Sequence, residues 1–158
     1  MKQQIWVVVT DSVHARFFTP DKDIEGFVPA GPAELEWPKN RHSRDLKSDG
    51  PGRSFSSARN GVRHGIEPRH DAHKLEKHKF TAALADALDR AAADGAFANL
   101  VLVAPRRSLG ELRGQLSSRV KSRIGEEIAK DLADAPAHLL WERLAPVVRK
   151  MILHAQMG

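Results

Sequence analysis

Cysteine is absent from this chain, which removes disulfides, thiolate metal centres and cysteine nucleophiles together. Long apolar runs are missing too. The longest near the start, Ile5-Trp6-Val7-Val8-Val9, is far short of a signal-peptide core and has no small-residue cleavage site after it. Nothing approaches the roughly 20 apolar residues that a membrane helix needs. There is no Gly-x-Ser-x-Gly elbow, no glycine phosphate loop closed by Lys-Ser/Thr, and no dinucleotide fingerprint. These absences set the expectations of a cytoplasmic protein that does not enter membranes, holds no cofactor and is not an enzyme.

What is present is an uneven distribution of positive charge. The chain has 158 residues and a net charge of +5, a length that fits one domain burying about two thirds of its unfolded surface. From Lys39 to Arg69 there are eight Lys/Arg against three Asp/Glu, and from Arg106 to Arg123 six against one. The segment Asp71 to Arg90 balances four against four, and everything else sums to −5. Positive charge gathered into two segments points to a binding face rather than an evenly solvated surface.

Periodicity predicts an α/β fold, a mixed sheet of about five strands flanked by helices. Gln4–Thr10 reads as a central strand buried on both faces, and Ala15–Thr19 as its hairpin partner across the turn Asp11-Ser12-Val13-His14. Short edge strands are expected near Ile24–Val28 and Ala33–Trp37, before Pro38. Residues 38–70 show no helical or strand period and are punctuated by Gly50, Pro51, Gly52, Gly61, Gly65 and Pro68, a long loop of the kind that is usually functional or disordered. A helix from Asp71 to about Ala93 carries Phe80, Ala83, Leu84, Ala87, Leu88 and Ala91 as one apolar stripe and ends at Gly95. Asn99–Ala104 is a short buried strand, parallel to the first if the helix is its crossover. Helices are expected from Pro105 to about Leu112 and over Ser117–Lys121, an outer strand over Ile124–Leu132, and a last amphipathic helix from Pro136 to about His154. Pro146 predicts a kink or break in it.

The long loop spaces arginines among Gly and Ser, so that guanidinium and bare backbone N–H groups reach phosphates together. Arg41, Arg44, Arg53, Arg59, Arg63 and Arg69 are the candidate phosphate contacts, and Phe55 a candidate base-stacking residue. The plain alternative is a solvated loop whose charges serve solubility. Arg106 and Arg107 follow a strand end, where open α/β sheets gather their sites; the alternative is that they line an exposed helix face. His64, His70, His73 and His78 have no complete metal-ligand spacing, so no metal is expected. Asp11, Asp45 and Asp71 are the acids a hydrolase could gather, although each has a structural use in a turn, loop or cap.

Several segments, taken in order, carry a family resemblance. They are Trp6-Val-Val-Val-Thr-Asp-Ser-Val-His-Ala-Arg-Phe-Phe, Arg44-Asp-Leu-Lys-Ser-Asp-Gly-Pro-Gly-Arg-Ser-Phe, Glu67-Pro-Arg-His-Asp-Ala-His, Leu100-Val-Leu-Val-Ala-Pro and Ala129-Lys-Asp-Leu. Together they resemble the bacterial host-attachment protein family, proteins required for attachment to host cells, over nearly the whole chain to about Leu144. That family in turn resembles the middle domain of archaeal and eukaryotic class-one peptide release factors and of Pelota. The resemblance implies a ribonuclease-H-like fold and a loop presented toward RNA. The release factors carry a Gly-Gly-Gln motif in that loop; this chain has Gly50-Pro51-Gly52-Arg53 and no Gly-Gly-Gln, so the peptide-release chemistry is not carried over. The leading expectation is therefore a non-catalytic domain that binds RNA or the ribosome. The first alternative is a host-cell attachment factor with a protein or acidic polysaccharide partner, and the second a cryptic metal-dependent hydrolase.

Overall fold

The computed structural model describes residues 4–36 and 74–157. A five-stranded mixed sheet runs in the order β3-β2-β1-β4-β5, with β1 Ile5–Thr10, β2 His14–Pro20, β3 Phe27–Glu36, β4 Asn99–Ala104 and β5 Ile124–Ala129. The hairpin β1–β2 and the pair β2–β3 are antiparallel, whereas β1–β4 and β4–β5 are parallel. The helices are α1, helical over residues 74–93, α2 Arg106–Arg113, α3 Ser118–Lys121 and α4 Ala137–Met157. This is the α/β architecture expected from the periodicity, and it is consistent with a ribonuclease-H-like arrangement.

Alternation along the strands divides the core between two faces. Trp6, Val8, Phe17, Leu100 and Leu102 face α1, α2 and α3, packing with Phe80, Leu84, Leu88, Leu109, Leu112 and Val120. Ile5, Val7, Val9, Phe18, Val101 and Val103 face α4, packing with Leu140, Leu144 and Val148. The continuous Val7-Val8-Val9 run makes sense on those terms, since a central strand covered on both sides buries every residue.

Local chemistry fixes the element ends. Gly95 takes φ +75° after α1; its N–H donates to the Ala92 carbonyl and that of Ala96 to the Ala91 carbonyl, the paired bonds that close a helix through a left-handed residue. Ser117 caps α3, its Oγ accepting from the Val120 N–H and donating to Asp89 Oδ1 at 2.6 Å, which ties α3 to α1. Arg123 donates to the carbonyls of Ala92 and Phe97, so one guanidinium ties the chain before β5 to the end of α1.

The sheet edge departs from expectation. Instead of short strands near Ile24–Val28 and Ala33–Trp37, the described chain has one strand, β3, through Phe27–Glu36. Five residue steps from Pro29 to Glu34 oppose two from Phe18 to Arg16, so the interruption is a bulge and not a break. Left-handed backbone at Gly31 (φ +52°) and Ala33 (φ +69°) absorbs the excess. Pro29 and Pro32 fit here because β3 is an edge strand whose outer N–H groups have no ladder partner to lose. α4 remains helical through Pro146, and β5 stops at Ala129 rather than Leu132. No helix among the described residues is long and apolar enough to cross a membrane.

Candidate anion-binding cavity

Strands β1 and β4 run parallel, so their carboxyl ends open at the same edge of the sheet. A cavity of about 650 Å³ lies there, between the turn after β1, the first described turns of α1, and α2. From α1 come Lys74, Lys77, His78 and Thr81, positions i, i+3, i+4 and i+7, which share one helix face. The adjacent stripe Phe80, Leu84, Leu88 is buried in the core. The apolar stripe therefore sets the rotation of α1, and that rotation aims the basic stripe into the cavity. From α2 come Arg107, Ser108 and Glu111, and from the β1–β2 turn Ser12.

Positive charge dominates the walls. Lys74, Lys77 and Arg107 are all exposed, and Glu111 is the one carboxylate among the lining residues. None of the three cations forms an ion pair among the described residues. α2 lies along this wall, with no side-chain N-cap and no acid in its first turn, and Gly114 and Gln115 at its C-terminal end line the cavity too.

The second basic segment divides by function. Arg107 lines the cavity, while Arg106 is exposed beside it without lining it. Arg113 is paired with Glu127 across to β5, and that hydrogen bond, then the opposite charge, raises the Arg113 pKa above its ordinary value. Arg123 is committed to backbone carbonyls. Arg113 and Arg123 are therefore structural, a use that spacing alone does not reveal.

Arg41, Arg44, Arg53, Phe55, Arg59, Arg63 and Arg69 lie outside the described residues, as do Asp45, Asp71, His64, His70 and His73. Asp11 is described, and its Oδ1 accepts from the N–H groups of Val13 and His14, both at 2.8 Å. It closes the hairpin turn in the ordinary manner of Asp. His78 joins the cationic cavity.

Lys74, Lys77, Ser12 and Thr81 were not legible as site residues. The signal was present in the sequence as the i, i+3, i+4 spacing of Lys74, Lys77 and His78, but a zero net charge over the helix averages it away.

On the opposite face of the sheet, at the same edge, His14, Glu34 and Glu36 bring their ligand atoms within 4.8 Å of one another. His14 and Glu36 are register partners on β2 and β3, and Arg16 and Glu34 are the next pair. The group was invisible to local spacing because it forms only through the pairing of strands across the β3 bulge.

The family model described as "Protein required for attachment to host cells" matches residues 6–144. The search of curated proteins finds no match.

Proposed function

The chain belongs to the family of proteins required for attachment to host cells, and on that premise we propose that it is a non-catalytic binding domain whose cationic cavity takes an anionic partner in attachment. The observation carrying this reading is the convergence of Lys74, Lys77 and Arg107, unpaired among the described residues, on one cavity at the carboxyl edge of β1 and β4. An acidic polysaccharide, or an acidic protein surface, supplies the opposite charge as a row of carboxylate or sulfate groups. Such groups suit Lys as a point charge and Arg as a two-pronged donor. Asp11 serves the hairpin turn, and Asp45 and Asp71 lie outside the described residues.

The test is the binding of a sulfated polysaccharide to the full chain, measured by titration calorimetry at low and raised salt. The expected result is affinity that falls as salt rises, and that weakens at least about tenfold in Lys74→Gln/Lys77→Gln/Arg107→Gln, in keeping with the roughly 1 kcal/mol or more of each charged contact. Unchanged affinity in a folded triple variant would remove the cavity from the proposal.

The family match favours attachment over the RNA reading, and the more remote likeness to release factors is not part of that match. Binding to RNA or the ribosome is a second reading. It is favoured by the placement of α1, which follows the Arg-rich residues 38–70 in sequence and turns its own lysines into the cavity. In that reading the protein is cytoplasmic, Arg41, Arg44, Arg53, Arg59, Arg63, Arg69, Arg106 and Arg107 contact phosphates, Phe55 stacks on a base, and attachment is affected indirectly. Co-sedimentation with ribosomes, salt-sensitive and lost on removing residues 41–65, would support it. Recovery of the protein at the cell surface with no ribosome association would retire it.

A further inference from the structure

The geometry points to a divalent transition-metal site formed by His14, Glu34 and Glu36, independent of the anion-binding cavity. These residues occupy the carboxyl edge of β1 on the α4 face of the sheet. His14 and Arg16 alternate with Phe17, and so share the face of Phe18, which packs on the α4 side. Glu36 and Glu34 are their register partners across β2–β3, and residues paired across an antiparallel ladder stand on the same face.

The donor atoms are spaced for a common ion. His14 Nε2 lies 3.5 Å from Glu34 Oε1. Two ligands each about 2.1 Å from a tetrahedral ion stand about 3.4 Å apart. All three donors fall within 4.8 Å of one another, so small rotamer adjustments bring the Glu36 carboxylate into the same sphere.

Charge supplies a second argument. Two carboxylates on one face of one strand repel each other, in a chain whose net charge is +5. Arg16, the nearest cation in register, is directed elsewhere, donating to the Ala133 and Ala135 carbonyls. His14 is paired with Glu34, and Glu36, although half-buried, has no ion-pair or hydrogen-bonding partner among the described residues. A bound cation is the complement that this arrangement lacks. A cavity of about 430 Å³ bounded by His14, Arg16, Glu34 and residues 133–136 adjoins two of the three donors, leaving room for further oxygen ligands. One imidazole with two carboxylates is a borderline set suited to zinc and its neighbours, and three protein ligands leave a position open.

The experiment is titration of the full-length chain with Co²⁺, followed by visible absorbance, and with Zn²⁺ by competition. The expected result is one saturable site of low coordination number. Glu34→Gln with Glu36→Gln, which keeps shape while removing charge, should weaken it at least about tenfold, since even supporting groups around a metal carry that much. His14→Ala should do the same, with circular dichroism and thermal melting verifying the fold of each variant. His70→Ala/His73→Ala should leave it unchanged. Binding that survives in folded Glu34→Gln/Glu36→Gln, or that follows His70 and His73 instead, overturns the proposal. So does the absence of saturable binding below about 1 mM, a weakness of about −4.1 kcal/mol in binding free energy.

Discussion

Gly31 sits at φ +52° with the indole of Trp6 so close that a Cβ there would come 2.5 Å from its ring. Trp6 is itself confined, edge-on to Phe17 at 5.9 Å and tilted on Phe97 at 5.1 Å between centroids. Gly31→Ala is therefore expected to destabilise by about 1–3 kcal/mol, through overpacking and through the left-handed backbone it would impose on alanine. Gly125 offers a contrast, since a Cβ there meets the terminal methyl of Met151 at 2.3 Å. A flexible side-chain end can move away, so Gly125→Ala should cost less than Gly31→Ala in paired urea denaturation curves. An equal or reversed order would contradict this reading of the two sites. Asp11 was legible as a turn residue because its chemistry is local, an acceptor two and three positions from its donors. The close approach of Gly31 to Trp6 was not, because it depends on packing between residues far apart in sequence and carries no local spacing.

Elements whose ends are set by neighbours in sequence were read nearly correctly. The Phe80, Leu84, Leu88 stripe, the stop at Gly95 and the last amphipathic helix all follow from periodicity and capping. In α4, Leu140, Leu144 and Val148 recur every fourth residue with 0%, 2% and 0% exposure. Leu144→Ala should lower stability by roughly 2–5 kcal/mol, the usual range for a buried leucine, as measured by denaturant midpoint at constant slope. The four-residue helix α3 depends on its cap more than on its length. Ser117→Ala removes the bond to Val120 N–H and leaves Asp89 without its donor. A loss of about 1–2 kcal/mol is expected, and Asp89→Ala combined with Ser117→Ala should cost less than the two single changes summed, because they share one bond. Additive costs would show that the link between α1 and α3 contributes nothing. The bulged edge strand resisted reading because prolines and small residues, which punctuate a sequence as breaks, are also the residues an edge bulge uses.

At the scale of the whole molecule, the sheet separates opposite chemistries at one edge: lysines and Arg107 on the α1–α2 face, and His14, Glu34 and Glu36 on the α4 face. Charge totals taken segment by segment pointed to Arg107, which lines the cavity, but also included Arg113 and Arg123, which Glu127 and backbone carbonyls occupy. They also passed over Lys74 and Lys77, because later acids in the same helix, Asp86 and Asp89, cancel them in the sum though not in space. That segregation makes a joint prediction about binding and stability. Lys74 and Lys77 are exposed and form no ion pair among the described residues, so Lys74→Gln/Lys77→Gln should leave the melting temperature nearly unchanged. The same substitution should weaken polyanion binding and flatten its salt dependence. With single-stranded RNA as the probe, the slope of log K against log salt should shrink by about 1.4, at roughly 0.7 for each lost contact. Both readouts come from one variant, a melting curve and a salt titration. If the lysines were merely a solvated face, the melting temperature would respond as stated and the salt slope would not move. A fall in melting temperature would instead mean that the stripe supports the fold, and the cavity would lose its strongest claim to be a site retained for a partner.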